Sequence, residues 1–198
     1  MSSLDVDDLA ERLRSATVLP VLRAPDRAAA LEQVQRCVAA GLPIVELTTT
    51  TEGWEQAVRE VRASWPALVL GVGTVLEPAQ AQAAAAAGAA GAAFLVSPCP
   101  VPAVRAQAAV PLIEGGFTPG ELLDATSRGI AKLFPAHVGG PQLLRSVLAV
   151  RPAARIVPTG GISLDAAPVW LAAGALAVGI GAGLLDHPDL AGRLSRPA

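Results

Sequence analysis

Eight times along the chain a short apolar run is followed by a helical pattern or a closing helix, at a spacing of roughly 20 residues. The runs are ATVLPVL (16–22), PIVEL (43–47), LVLGVGTVL (68–76), AAFLVS (92–97), VPLIEG (110–115), IAKLF (130–134), ARIVPTGG (154–161) and ALAVGIG (175–181). They are continuously apolar rather than alternating, which is the pattern of strands covered on both faces of a parallel sheet. Between them lie DRAAALEQVQRCVAAG (26–41), WEQAVREVRASW (54–65), EPAQAQAAAAAGA (77–89), VPAVRAQAA (101–109), TPGELLDATSRG (118–129), PQLLRSVLAV (141–150) and SLDAAPVWLAAG (163–174). Thr118 with Glu121 three residues on is a capping-box start, and Gly129 is a stop. With a leading helix before the first run and a short one after the last, the pattern predicts a single (β/α)8 TIM barrel over residues 1–198. An open doubly wound sheet is the alternative, and no linker or second domain is visible.

Composition narrows the class. The 198 residues are 52% hydrophobic and 16% charged, too apolar for a disordered chain. A net charge of −2 gives no electrostatic reason to expect nucleic acid. Cys37 and Cys99 cannot make a disulfide framework and form no C-x-x-C pair, which fits a reducing cytosol. The opening MSSLDVDDLAERLRS lacks the apolar core of a signal peptide. Ala166–Leu185 carries no charge over 20 residues, the length of a membrane span. Four glycines and Pro168 interrupt it, so it reads as helix, glycine, buried strand and glycine loop, with no membrane partner.

In such a barrel, chemistry sits at the C-terminal ends of the strands. Those ends carry Arg23, then Glu46 with Thr48 and Thr50, Thr74 after a glycine pair, Ser97, Glu114, Lys132 with Phe134, Thr159-Gly160-Gly161, and Gly181-Ala182. Lys132 is the only lysine and lies in an apolar strand. A buried ammonium is costly unless paired, and a buried neutral amine is a nucleophile suited to Schiff-base chemistry. Glu46, the one charge in PIVEL, is the matching candidate for acid–base work. The plainer alternative is a structural pair between Lys132 and either Glu46 or Glu114. The glycine loops after strands seven and eight are placed where phosphate-binding barrels hold phosphate, although tight turning alone would also call for glycine. His137 and His187 have no ligand spacing, so a metal site is not expected. Cys99 reads as a small buried side chain, and Trp54, Trp65 and Trp170 as packing residues.

In order, VELT, GVGTVLEPAQ, VSP, KLFPAHVGGPQ, VPTGGI and VGIGAGL resemble the 2-keto-3-deoxy-6-phosphogluconate / 2-keto-4-hydroxyglutarate aldolases, from about Val18 to Leu184. The resemblance implies a (β/α)8 class I aldolase, a homotrimer needing no metal or other cofactor. It implies Lys132 as the Schiff-base lysine and Glu46 as the proton-transfer residue, with Thr74 and Phe134 beside the pyruvate part. The backbone of Gly160, Gly161, Gly181 and Ala182 would hold the phosphate, and Thr159 is a further candidate substrate-binding residue. Cleavage would give pyruvate and glyceraldehyde 3-phosphate. The galactonate epimer and 2-keto-4-hydroxyglutarate are alternative substrates. A barrel with isomerase or synthase chemistry and a non-catalytic phospho-ligand binder are the other readings.

Three departures stand out. Thr50 replaces an arginine that many members use for the substrate carboxylate, and Arg23 at the end of strand one would take over that anion. Glu114 stands where proline is usual and is expected to repel an anionic substrate. Ala182 lacks the hydroxyl that a serine there would offer to phosphate.

Overall fold

The structure is a computed structural model and describes residues 4–86, 91–190 and 192. Among these, the strands are β1 (Val18–Leu22), β2 (Ile44–Thr48), β3 (Val69–Gly73), β4 (Phe94–Ser97), β5 (Leu112–Gly116), β6 (Ile130–Leu133), β7 (Arg155–Pro158) and β8 (Val178–Ile180). The helices are α1 (Val6–Ala16), α2 (Arg27–Ala39), α3 (Trp54–Ser64), α4 (Pro78–Ala86), α5 (Pro102–Arg105), α6 (Pro119–Thr126), α7 (Ala136–Val150) and α8 (Ala167–Ala172), the last preceded by a 3-10 turn at Leu164–Ala166.

Every strand pairs in parallel with its neighbour, in the order β7-β6-β5-β4-β3-β2-β1-β8. The ring closes where Thr159 bridges Gly179 and the Leu176 N–H donates to the Ile156 carbonyl. The predicted barrel is therefore the observed one, and the open sheet is excluded.

Strand periodicity of two sets what faces inward. Leu19, Ile44, Val69, Phe94, Ile113, Ile130 and Val157 fill the lumen, and Leu9 and Leu13 of α1 pack against them. Asp5 caps α1 by accepting from the Asp8 N–H at 2.8 Å, and the helix plugs the N-terminal mouth. A second apolar layer lies between the sheet and the outer helices and includes Val34, Leu47, Leu70, Leu95, Leu122 and Trp170. Trp54 and Trp65 pack against that layer, as expected.

Several boundaries differ from the sequence pattern. The helix predicted over 101–109 is a single turn, Pro102–Arg105. At α7, Gly140 takes φ 63°, ψ 179° and breaks the helix, so Pro141 opens the long part. The end of the alanine-rich segment (87–90) and the continuation of the final helix lie outside the described residues. Ala166–Leu185 is split among the 3-10 turn, α8 and β8, and no helix among the described residues is long and apolar enough to cross a membrane.

Candidate active site

Inward parity places the chemistry. Glu46 lies two residues beyond Ile44 on β2, and Lys132 two beyond Ile130 on β6. Both side chains therefore point into the lumen, one layer above the apolar floor. They are buried there, and Lys132 Nζ donates to Glu46 Oε1 at 3.2 Å and Oε2 at 3.4 Å. Low-dielectric surroundings strengthen this pair and make it costly to leave either member alone. The Phe134 ring flanks the amine, with its centroid 5.9 Å from Nζ.

Above the pair opens a cleft of about 700 Å3. Arg23, Lys132, Phe134, Thr159, Gly160, Gly161, Gly181 and Ala182 line it, so eight of the eleven predicted site residues share one cavity. Gly160 and Gly161 have φ of 98° and 71°, the left-handed region that favours glycine. A Cβ on Gly161 would also lie 2.7 Å from His137 Cβ. The loop is held by the Ala136 N–H donating to the Thr159 carbonyl at 2.8 Å and the His137 N–H donating to Gly160 at 3.1 Å. Its backbone is thereby presented bare to the cleft.

The other three predicted residues, Glu46, Thr50 and Thr74, are not among those lining the cleft. Glu46 sits beneath it and reaches it through Lys132. Thr50 accepts a hydrogen bond from Arg23 Nη1 at 3.1 Å and pairs with the Thr48 hydroxyl at 2.8 Å. The Arg23 guanidinium thus stands at Thr50. Thr74, just past β3, has φ 60°, and its carbonyl accepts from the Thr49 hydroxyl at 2.8 Å.

Two expectations are overturned. Glu114 does not face the cleft: Ile113 points inward, so its neighbour points outward through the wall. There it is clamped by Arg105 at 2.9 Å and Arg128 at 2.5 Å, and no repulsion of a bound anion follows from it. Cys99 is exposed, because it sits two residues past β4 where the chain turns away from the packed layers. Cys37 is buried, and burial pushes its thiol up to about 12.

The sequence reading missed Gln33 and Arg36 of α2 and Asp186, which line the outer cleft. Arg36 donates to the Leu185 carbonyl at 2.5 Å and lies 3.7 Å from Asp186. No local pattern distinguishes such an arginine from any other on a helix surface.

A closed parallel barrel holding one buried lysine against a carboxylate, beneath a cleft walled by glycine loops, is equipped for imine-forming lysine chemistry. The chain belongs to the KDPG and KHG aldolase family, whose model matches residues 9–192. It is 36% identical over 165 residues to a 2-dehydro-3-deoxy-phosphogluconate aldolase of Pseudomonas aeruginosa, covering 80% of this chain and 74% of that one. It is 33% identical over 157 residues to a KHG/KDPG aldolase of Escherichia coli, covering 76% and 72%. Among solved structures, a KDPG aldolase from Legionella pneumophila with pyruvate captured as a covalent carbinolamine superposes with a TM-score of 0.79 at 26% identity, covering 91% of this chain and 89% of that one.

Proposed function

We propose that this chain is a class I aldolase that reversibly cleaves 2-keto-3-deoxy-6-phosphogluconate, or a close relative, to pyruvate and glyceraldehyde 3-phosphate. The observation that carries the reading is the buried Lys132 amine 3.2 Å from Glu46, open to a cleft that ends in two glycine loops.

The neutral amine attacks the C2 ketone, and Glu46 passes protons through the carbinolamine until water leaves and the imine forms. The protonated imine withdraws the electron pair of the C3–C4 bond while Glu46 takes the proton of the C4 hydroxyl. The aldehyde departs, the enamine is protonated at C3, and water returns the free amine with pyruvate. Because the imine is the electron sink, the step needs no metal. Arg23 with Thr50 holds one substrate anion, Phe134 and Thr74 flank the pyruvate part, and Thr159, Gly160, Gly161, Gly181 and Ala182 receive the phosphorylated end. The reading extends to a homotrimer in the cytoplasm, with no nucleic-acid or membrane partner.

The test is borohydride reduction with pyruvate, followed by peptide mapping. Lys132 is the only lysine, so the α-amine is the only other primary amine. A reduced adduct on Lys132 with loss of activity is expected. An unlabelled lysine would sink the imine mechanism.

A further inference from the structure

Gly73 faces the lumen at the end of β3, on the same parity as Val69, and aligns with Thr48 of β2. Its φ lies outside the left-handed region, so its backbone tolerates any L-residue. What an added side chain would meet is Glu46: a Cβ built there overlaps the carboxylate and lies 2.6 Å from Cγ. The nearest atoms all belong to that one side chain.

From this we infer that Gly73 is a positioning residue for proton transfer, and that its missing side chain is the slot holding the Glu46 carboxylate toward Lys132. The inference rests on the proposed function only for its kinetic part. Glu46 has to extend from β2 toward β6 across the lumen, and β3 is the wall it passes. A methyl group at 73 drives the carboxylate off this path and away from Nζ. A shift of about 1 Å in a proton-transfer group costs roughly 10²-fold in rate.

The experiment is a cycle of four proteins: wild type, Gly73→Ala, Glu46→Ala and the double variant. Gly73→Ala should lower kcat by roughly 10²-fold, with KM for the phosphorylated substrate changed little. With Glu46 truncated the slot is empty, so the double variant should match Glu46→Ala in kcat within about two-fold. Melting supplies a readout independent of turnover: alanine at 73 should lower Tm by roughly 3–10 °C in the wild-type background and leave it unchanged beside Glu46→Ala. Undiminished kcat in Gly73→Ala overturns the inference. So does an equal cost of alanine in both backgrounds, or a double variant that fails to fold where Glu46→Ala folds. If the wild type shows no aldolase turnover, the functional reading fails by itself and the melting cycle still decides the place of Gly73.

Discussion

Glu46 and Lys132 reach each other from β2 and β6, four places apart in the eight-strand order and 86 residues apart in the chain. Strands that far apart in an eight-membered ring face one another, so the contact spans the lumen. Gly71 aligns with Glu46 and Gly115 with Lys132, and the space their side chains would need is taken by the Phe94 ring and the Pro98 backbone. The structural pair raised by the sequence is therefore present with Glu46, and under the proposed function the same contact would carry the proton in turnover.

Replacing the carboxylate while keeping its shape separates these roles. Glu46→Gln should cut kcat by roughly 10²–10⁴ with the circular dichroism spectrum unchanged. Near-normal turnover in a folded variant would leave Glu46 as an ion-pair partner of Lys132 and nothing more.

Arg23 and Thr50 form the second test. Loss of a charge-assisted hydrogen bond to a substrate anion costs about 1.5–3 kcal/mol, or roughly 10–150-fold in kcat/KM. Arg23→Ala should show that loss, and Arg23→Ala with Thr50→Arg should regain part of it. A silent Arg23→Ala would leave the glycine loops as the sole anion holders.

Glu114 gives the opposite expectation. Its two arginine partners lie outside the wall, so Glu114→Gln should leave kcat/KM essentially unchanged. Weakening hydrogen bonds to charged groups should cost about 1.5–3 kcal/mol of stability. Thermal melting and steady-state kinetics on one preparation decide; a large kinetic effect with unchanged Tm would return Glu114 to the substrate.

The start of α6 carries a pH signature. Thr118 and Glu121 make a reciprocal capping box, and the Phe117 and Thr118 N–H groups with the Thr118 hydroxyl donate to Glu121 Oε2. The Thr118 backbone first, then Phe117, holds the Glu121 carboxyl below the usual range. A lowered folded-state value means the stabilisation is fully present above the unfolded carboxyl's pKa and is lost as pH falls through the folded one. Glu121→Ala should therefore melt lower than wild type at neutral pH, and the gap should close in acid. A gap constant with pH would show that the cap works without its charge.

The strand and helix order was legible because each buried run is apolar and each helix start is marked, as at Thr118. Lys132 and Glu46 were legible because a lone charge in such a run needs a reason. Glu114 misled because both faces of these strands are apolar, so composition does not say which parity faces the lumen. That parity is set by the lumen position of Ile113 and by the aligned pair Gly115 and Lys132. Gly73 was hidden for a related reason: a glycine records no contact in sequence, and the atoms that fill its space come from β2.

The wall of the barrel is not equally joined all round. β2 and β3 align over five residue pairs, whereas β7 and β8 share the Thr159–Gly179 bridge and one backbone hydrogen bond. The loops bearing Gly160–Gly161 and Gly181–Ala182 leave the barrel on either side of that seam. Under the proposed function an anion gripped by both loops would act as a rivet across it, and would stabilise the fold by RT ln(1 + L/Kd), where L is the free anion concentration. Filling the cleft and fastening the ring are then a single equilibrium.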